Sequence, residues 1–200
     1  AEEIIGRWFA KGGGRRERVV LGTKVEREME NDPYDGPNKP RNLSLYKIRR
    51  HFEGSLRRLQ TDHIELYQMH HVDRRTPWEE QWEAFEGLVR SGKVDYIGSS
   101  NFAAWDIMKA QEAARNRHFM GLVNEQHRYN LLCRTAELEL LPAATDQGIG
   151  ITLWSPLVRG LLGVNMFQLD KNPQSVEVRN VIEKYRSQLM AFSELCRDIG

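Results

Sequence analysis

The chain has 200 residues, 40% of them hydrophobic and 28% charged, and a formal net charge of +1 from 29 basic and 28 acidic side chains. That length supports one sizeable core, and the charge balance excludes a general attraction to nucleic acid or acidic membranes. No apolar run approaches the roughly 20 residues of a membrane span, and Cys133 and Cys196 share no C-x-x-C spacing, which fits reduced thiols in a cytoplasmic protein.

The first segment, Glu2 to Ala10, carries Ile4, Ile5, Trp8 and Phe9 at helical spacing, which predicts a helix stopped by Lys11-Gly12-Gly13-Gly14. No Gly-Lys-Ser/Thr follows those glycines, so they read as a turn and not as a phosphate cradle. Arg18 to Val25 reads as a buried strand. A polar loop from about Arg27 to Asn42 follows, long enough to shape access to a site. Ser44 caps a helix with the stripe Ile48, Phe52, Leu56 and Leu59. Ile64 to His70 is a second strand. Thr76-Pro77-Trp78-Glu79 reads as a capping box, with Thr76 as cap, opening a helix with Trp82, Phe85 and Val89 inside and Gly92 at its end.

The pattern then repeats. A strand from Val94 to Gly98, a helix from about Ala103 to Ala114, a strand from Leu122 to Gln126, a helix from about Thr135 to Gln147 and a strand from Ile149 to Leu153 are expected. One long amphipathic helix is expected from about Ser175 to Ile199. Strands alternating with helices at one βα unit apiece predict a parallel α/β sheet. Five strands cannot close a barrel of eight, so the reading is an open doubly wound sheet or part of a barrel.

Each strand ends in a polar cluster: Gly22-Thr23-Lys24, Gln68-Met69-His70, Gly98-Ser99-Ser100-Asn101, Asn124-Glu125-Gln126 and Trp154-Ser155-Pro156. In a parallel α/β barrel these carboxyl ends share one rim, where such folds do chemistry. His70 and His71, adjacent on a strand, should face opposite ways and so not form a metal pair. His51, His63, His118 and His127 lack ligand-like spacing. Ser100-Asn101 has a plainer reading as the cap of the helix near Ala103. Glu125 and Asp73 are weak acid/base candidates.

These clusters, together with Glu2-Glu3-Ile4-Ile5-Gly6, Asp62 through Leu66-Tyr67-Gln68-Met69-His70, Gln126-His127-Arg128-Tyr129-Asn130 and Trp154-Ser155-Pro156-Leu157, resemble the aldo-keto reductases in order and spacing. The resemblance runs from about Glu2 to Leu162. It implies a (β/α)₈ TIM barrel that reduces a small-molecule aldehyde or ketone with NADPH, or with NADH as the alternative donor. By the same match, Lys24 and His70 belong to the catalytic group. Ser100, Asn101 and Gln126 hold the nicotinamide carboxamide, Trp154 stacks on the nicotinamide ring, and Ser155, Leu157 and Gly160 approach the pyrophosphate.

These residue types suit that chemistry. Hydride addition builds negative charge on the carbonyl oxygen, which needs a proton donor. In the family the donor is a tyrosine whose pKa the lysine lowers, while the histidine directs an N–H at the oxygen. The tyrosine and an aspartate partner of the lysine come from a strand that would precede Ala1. The last strand and the segment gripping the 2′-phosphate would follow Gly200. The chain is therefore expected to be one barrel domain over residues 1–200, either truncated at both ends or continued by residues of the same molecule beyond them. A rival reading is a weakly catalytic regulatory subunit resembling potassium-channel β subunits, which His70 disfavours. No metal, nucleic acid or membrane partner is expected, and a homo-oligomer is left open.

Overall fold

The computed structural model describes residues 1–25, 42–163, 166 and 176–199, so nearly all of the long polar loop lies outside the described residues. In chain order the elements are α1 Glu2–Phe9, β1 Gly22–Val25, α2 Leu45–Leu59, β2 Ile64–Met69, α3 Trp78–Arg90, β3 Val94–Ser100, α4 Ala104–Asn116, β4 Leu122–Arg128, α5 Leu140–Asp146, β5 Gly150–Trp154, α6 Val176–Lys184 and α7 Arg186–Ile199. The five strands form one sheet in the order β1-β2-β3-β4-β5, with β1, β2, β3 and β4 parallel to their neighbours. Sequential parallel strands with intervening helices are the arrangement of a segment of a (β/α)₈ barrel.

Register explains how the sheet presents its polar groups. Lys24 pairs with Gln68, Gln68 with Gly98, and Gly98 with Asn124, which sets one row across four strands. Because side chains alternate, this row points to one face and Tyr67 to the other. On the second face Tyr67 packs edge-on against Phe52 of α2 at 5.1 Å and Phe85 of α3 at 6.0 Å. Trp82 lies fully buried beside Phe85 and Phe119, and its indole N–H donates to Ala110 O at 3.0 Å. A hydrogen-bonded buried indole combines a large apolar area with no unmet donor.

Contacts divide the chain into two compact units, Ala1–His127 with Thr135–Thr152, and Arg128–Arg134 with Leu153–Gly200. The second has its own small core of Leu161, Met166, Ile182 and Leu189, with Val158, Leu162, Tyr185 and Met190 against it.

Several expected elements change in the folded chain. Arg18 closes a 3₁₀ turn and Val20 stays exposed, so β1 starts at Gly22. The Leu21 amide donates to the Glu65 carboxylate at 2.7 Å, and Arg16 pairs with the same carboxylate at 2.8 Å. In α1 it is Gly6 and Phe9 that are buried, while Ile4 and Trp8 are exposed. A Cβ on Gly6 would come within 2.2 Å of the Arg58 carbonyl oxygen, so only glycine lets α1 lie against the end of α2.

Ser44 caps α2 as expected, accepting the Lys47 amide at 3.3 Å. Thr76 does not cap α3, because its hydroxyl donates to Asp73 Oδ2 at 2.5 Å and Pro77 holds the cap position. Residues 135–147 split into a 3₁₀ turn and the short α5. Pro142 has no amide for the Leu138 carbonyl four residues back, so a helix continuous from Thr135 would lose that bond, whereas in the first turn of α5 the proline is tolerated. The final helix breaks at Tyr185 into α6 and α7, and both flanking residues Ile182 and Leu189 remain in the small core.

Candidate active site

Strand β1, helices α1 and α2 and His70 just past β2 frame a cavity of about 370 Å³ lined by Lys24, His70, Thr23, His51, Arg58 and Glu2, among others. Lys24 is half-buried, and burial pulls its ammonium below the usual range. Among the described residues it has no ion-pair partner. On the cavity wall, Glu2 accepts from Thr23 Oγ1 and Arg58 Nε, each at 2.6 Å. Burial works against the Glu2 carboxylate, yet those bonds together hold it below the ordinary range. The cavity thus brings the Lys24 ammonium and the His70 imidazole to one lining, groups that draw negative charge developing on an oxygen.

His70 lies one residue past β2, with its amide on Val25 O at 2.8 Å. Strand alternation therefore does not separate it from His71, and the two rings stack with centroids 5.0 Å apart. Only His70 of the pair lines the cavity.

Beside it, the turn after β3 binds across to β4. Ser100 Oγ donates to Gln126 O at 2.9 Å, and the Asn101 amide donates to the same oxygen at 3.1 Å. The Asn101 side chain donates to His70 O at 3.2 Å and to Ser100 Oγ at 3.0 Å. That bond joins the β3 turn to the lysine–histidine cavity. Asn101 sits at φ +59°, a left-handed conformation that asparagine tolerates. Ser100-Asn101 does not cap α4. Ala103 holds that position, and Asp106 accepts its amide at 3.3 Å.

Below the rim runs a polar ladder that sequence reasoning missed. Gln68 Nε2 donates to Asn124 Oδ1 at 2.8 Å, Thr152 Oγ1 reaches the same oxygen at 3.3 Å, and Asn124 Nδ2 donates to Gly150 O at 3.2 Å. Gly98 makes room for it, since a Cβ there would meet Asn124 O at 3.0 Å and Gln68 Cγ at 3.1 Å. The clue was a polar residue at the same register on β2 and β4 with glycine between them.

Asp73 has structural work. It accepts the Leu43 amide, the Arg75 amide and the Thr76 hydroxyl. Burial alone would raise its carboxyl, but these hydrogen bonds together lower it.

In the second unit, Arg128 lies 5.6 Å over the ring centre of Trp154. The backbone after Trp154 is unusual, with positive φ at Ser155, Val158, Arg159 and Gly160. Val158 is β-branched, for which this region is strained. Asn130, buried, donates to Ser155 O at 3.0 Å and accepts the Leu132 amide at 3.0 Å. Trp154, Ser155, Leu157 and Gly160 therefore share one tightly turned segment. The amides of Val158, Gly160, Leu161 and Leu162 donate to carbonyls inside this segment, to Ser155, Leu157, Val158 and Leu157 in turn, which holds the turn together.

Comparison with known proteins agrees with the motifs. The sequence profile of the aldo/keto reductase family matches residues 1–200. The chain is 64% identical over 199 residues to the uncharacterized oxidoreductase YrpG of Bacillus subtilis (strain 168), covering 100% of this chain and 61% of that protein. It is 35% identical over 178 residues to the versiconal hemiacetal acetate reductase of Aspergillus parasiticus, covering 81% of this chain and 50% of that protein. A probable voltage-gated potassium channel subunit beta of Arabidopsis thaliana is 37% identical over 163 residues, covering 81% of this chain and 48% of that protein. The chain thus spans about half to three fifths of the length of these relatives.

Proposed function

We propose, because this chain belongs to the aldo/keto reductase family, that the full protein reduces an aldehyde or ketone with hydride from NADPH, NADH being the alternative donor. The observation that carries this reading is the cavity shared by Lys24 and His70 at neighbouring strand ends, tied to Asn101 through the His70 carbonyl. Bound NADPH supplies the hydride. His70 directs an N–H at the substrate oxygen and holds the carbonyl in line. Lys24 lends positive potential to a tyrosine proton donor that the family resemblance places outside residues 1–200.

The donor set suits the nicotinamide. Ser100, Asn101 and Gln126 bring a hydroxyl and two amides, complementary to a carboxamide with one acceptor and two donors, which would take the place of bonds that Ser100 and the Asn101 side chain make to Gln126 O, His70 O and each other. Trp154 gives the ring a flat apolar face, so that one side alone delivers hydride. Ser155, Leu157 and Gly160 place backbone against the pyrophosphate. Cys133 and Cys196 are free thiols, which fits work in a reducing cytoplasm.

The test is Lys24→Met in the full protein. Turnover of a carbonyl panel should fall about 10²–10⁴-fold, with the NADPH dissociation constant little changed. Undiminished turnover would sink the assignment. The likeness to the Arabidopsis channel subunit supports a second reading, a cofactor-holding regulatory subunit. Tight NADPH binding with no reduction of any carbonyl offered would favour it.

A further inference from the structure

We propose that Glu125 is a positioning residue for this site, its buried carboxylate clamping the turn that presents Ser100 and Asn101. The proposal rests on the reductase reading above.

Glu125 is fully buried in β4. One carboxylate oxygen accepts the Ser99 hydroxyl at 2.5 Å, and the other accepts the Phe102 amide at 3.2 Å. Ser99 stands immediately before Ser100-Asn101 and Phe102 immediately after, so one carboxylate brackets the dipeptide. His127 Nδ1 lies 3.1 Å from the second oxygen and fills the remaining side. The adjacent residue completes the grip, since Gln126 O takes both the Ser100 hydroxyl and the Asn101 amide.

A buried carboxylate carries a desolvation cost that an apolar side chain of similar size avoids. What the ion adds is stronger acceptance from donors on both flanks. Those donors, Ser99 at the end of β3 and Phe102 just past it, flank a left-handed Asn101, where backbone position depends on what holds it. The bracket therefore fixes where Ser100 and Asn101 stand before cofactor arrives, which lowers the ordering cost of binding. Glu125 itself touches neither cavity nor reacting atoms in this arrangement, so its effect passes through the turn.

The experiment compares NADPH affinity, steady-state kinetics and melting temperature for the full wild-type protein, Glu125→Gln and Ser99→Ala. Glu125→Gln should weaken NADPH binding about tenfold, and Ser99→Ala about threefold, on the scale of lost buried hydrogen bonds to a charge. The carbonyl KM should stay near wild type, and kcat at saturating NADPH should change less than the NADPH KM. Lower melting temperature with unchanged NADPH affinity would mark Glu125 as purely structural and overturn the proposal. Should Glu125→Gln not fold, unchanged affinity in Ser99→Ala overturns it alone. If wild-type protein binds no NADPH, the reductase reading fails and this proposal falls with it. If wild type binds and the variants match it, only this proposal falls.

Discussion

The ends of β3 and β5 both carry polar residues at strand termini of one sheet, yet they are held by different means. After β3, Ser100 and Asn101 are buried or half-buried and their bonds cross to β4 and to His70. After β5, Leu153 is 43% and Trp154 38% exposed, and Ser155 is held by bonds from Val158 and Asn130 within the second unit. The first end is positioned by long-range pairing, the second by local turns with a strained backbone. Groups that must meet a ligand with little adjustment profit from the first arrangement. Low-stability segments with few buried contacts are where yielding motions arise.

Paired tryptophan substitutions test that contrast most strongly. Trp82→Ala in the full protein should cost about 3–5 kcal/mol in denaturant unfolding, because it empties a packed core and removes the indole bond to the Ala110 carbonyl. Trp154→Ala should cost less than about 1 kcal/mol, the range of exposed positions, while weakening NADPH binding under the proposed function. Equal losses would show the two regions to be alike in anchorage.

Asp73 probes the rigid side at intermediate size. Asp73→Asn should lose about 1–3 kcal/mol by weakening bonds to three backbone and side-chain donors. Its folded carboxyl titrates below the unfolded one. The stabilisation is therefore complete above the ordinary aspartate range and disappears as pH falls through the lowered folded pKa. The wild-type advantage over Asp73→Asn should shrink on acidification, and an advantage growing toward acid would contradict this origin.

On the strained side the smallest effect should have the opposite sign. Arg159 is exposed at φ +54°. Arg159→Gly should change stability by at most about 1 kcal/mol toward the folded state, as relief of left-handed strain outweighs the glycine entropy cost. A clear loss in the melting scan would mean that the arginine side chain anchors the loop.

Most of the framework was readable because apolar periodicity and caps act locally. The Ile48, Phe52, Leu56, Leu59 stripe and the Ser44 cap lie where expected. The failures share a cause, since hydrogen-bond competition is settled in three dimensions. Thr76 gave its hydroxyl proton to Asp73 instead of turning its oxygen to the helix amides, and Leu21 found a carboxylate on another strand. Lys24 and His70 could be picked out by their places at strand ends and by motif. The bracket at Glu125 could not, because its donors lie 26 and 23 residues away and meet it only once β3 and β4 pair.

The contact between Glu65 and the Leu21 amide has a bearing on chemistry that neither residue performs. It pins the frame in which β1 is read against β2. A slip of a single position would rotate every side chain of β1 to the opposite face. Thr23 would then take the inward place of Lys24, and the amine would turn toward the helices. Whether the molecule offers an amine or a hydroxyl to its interior thus rests on the β1–β2 ladder, to which an acidic side chain at the start of the neighbouring strand adds its own hold.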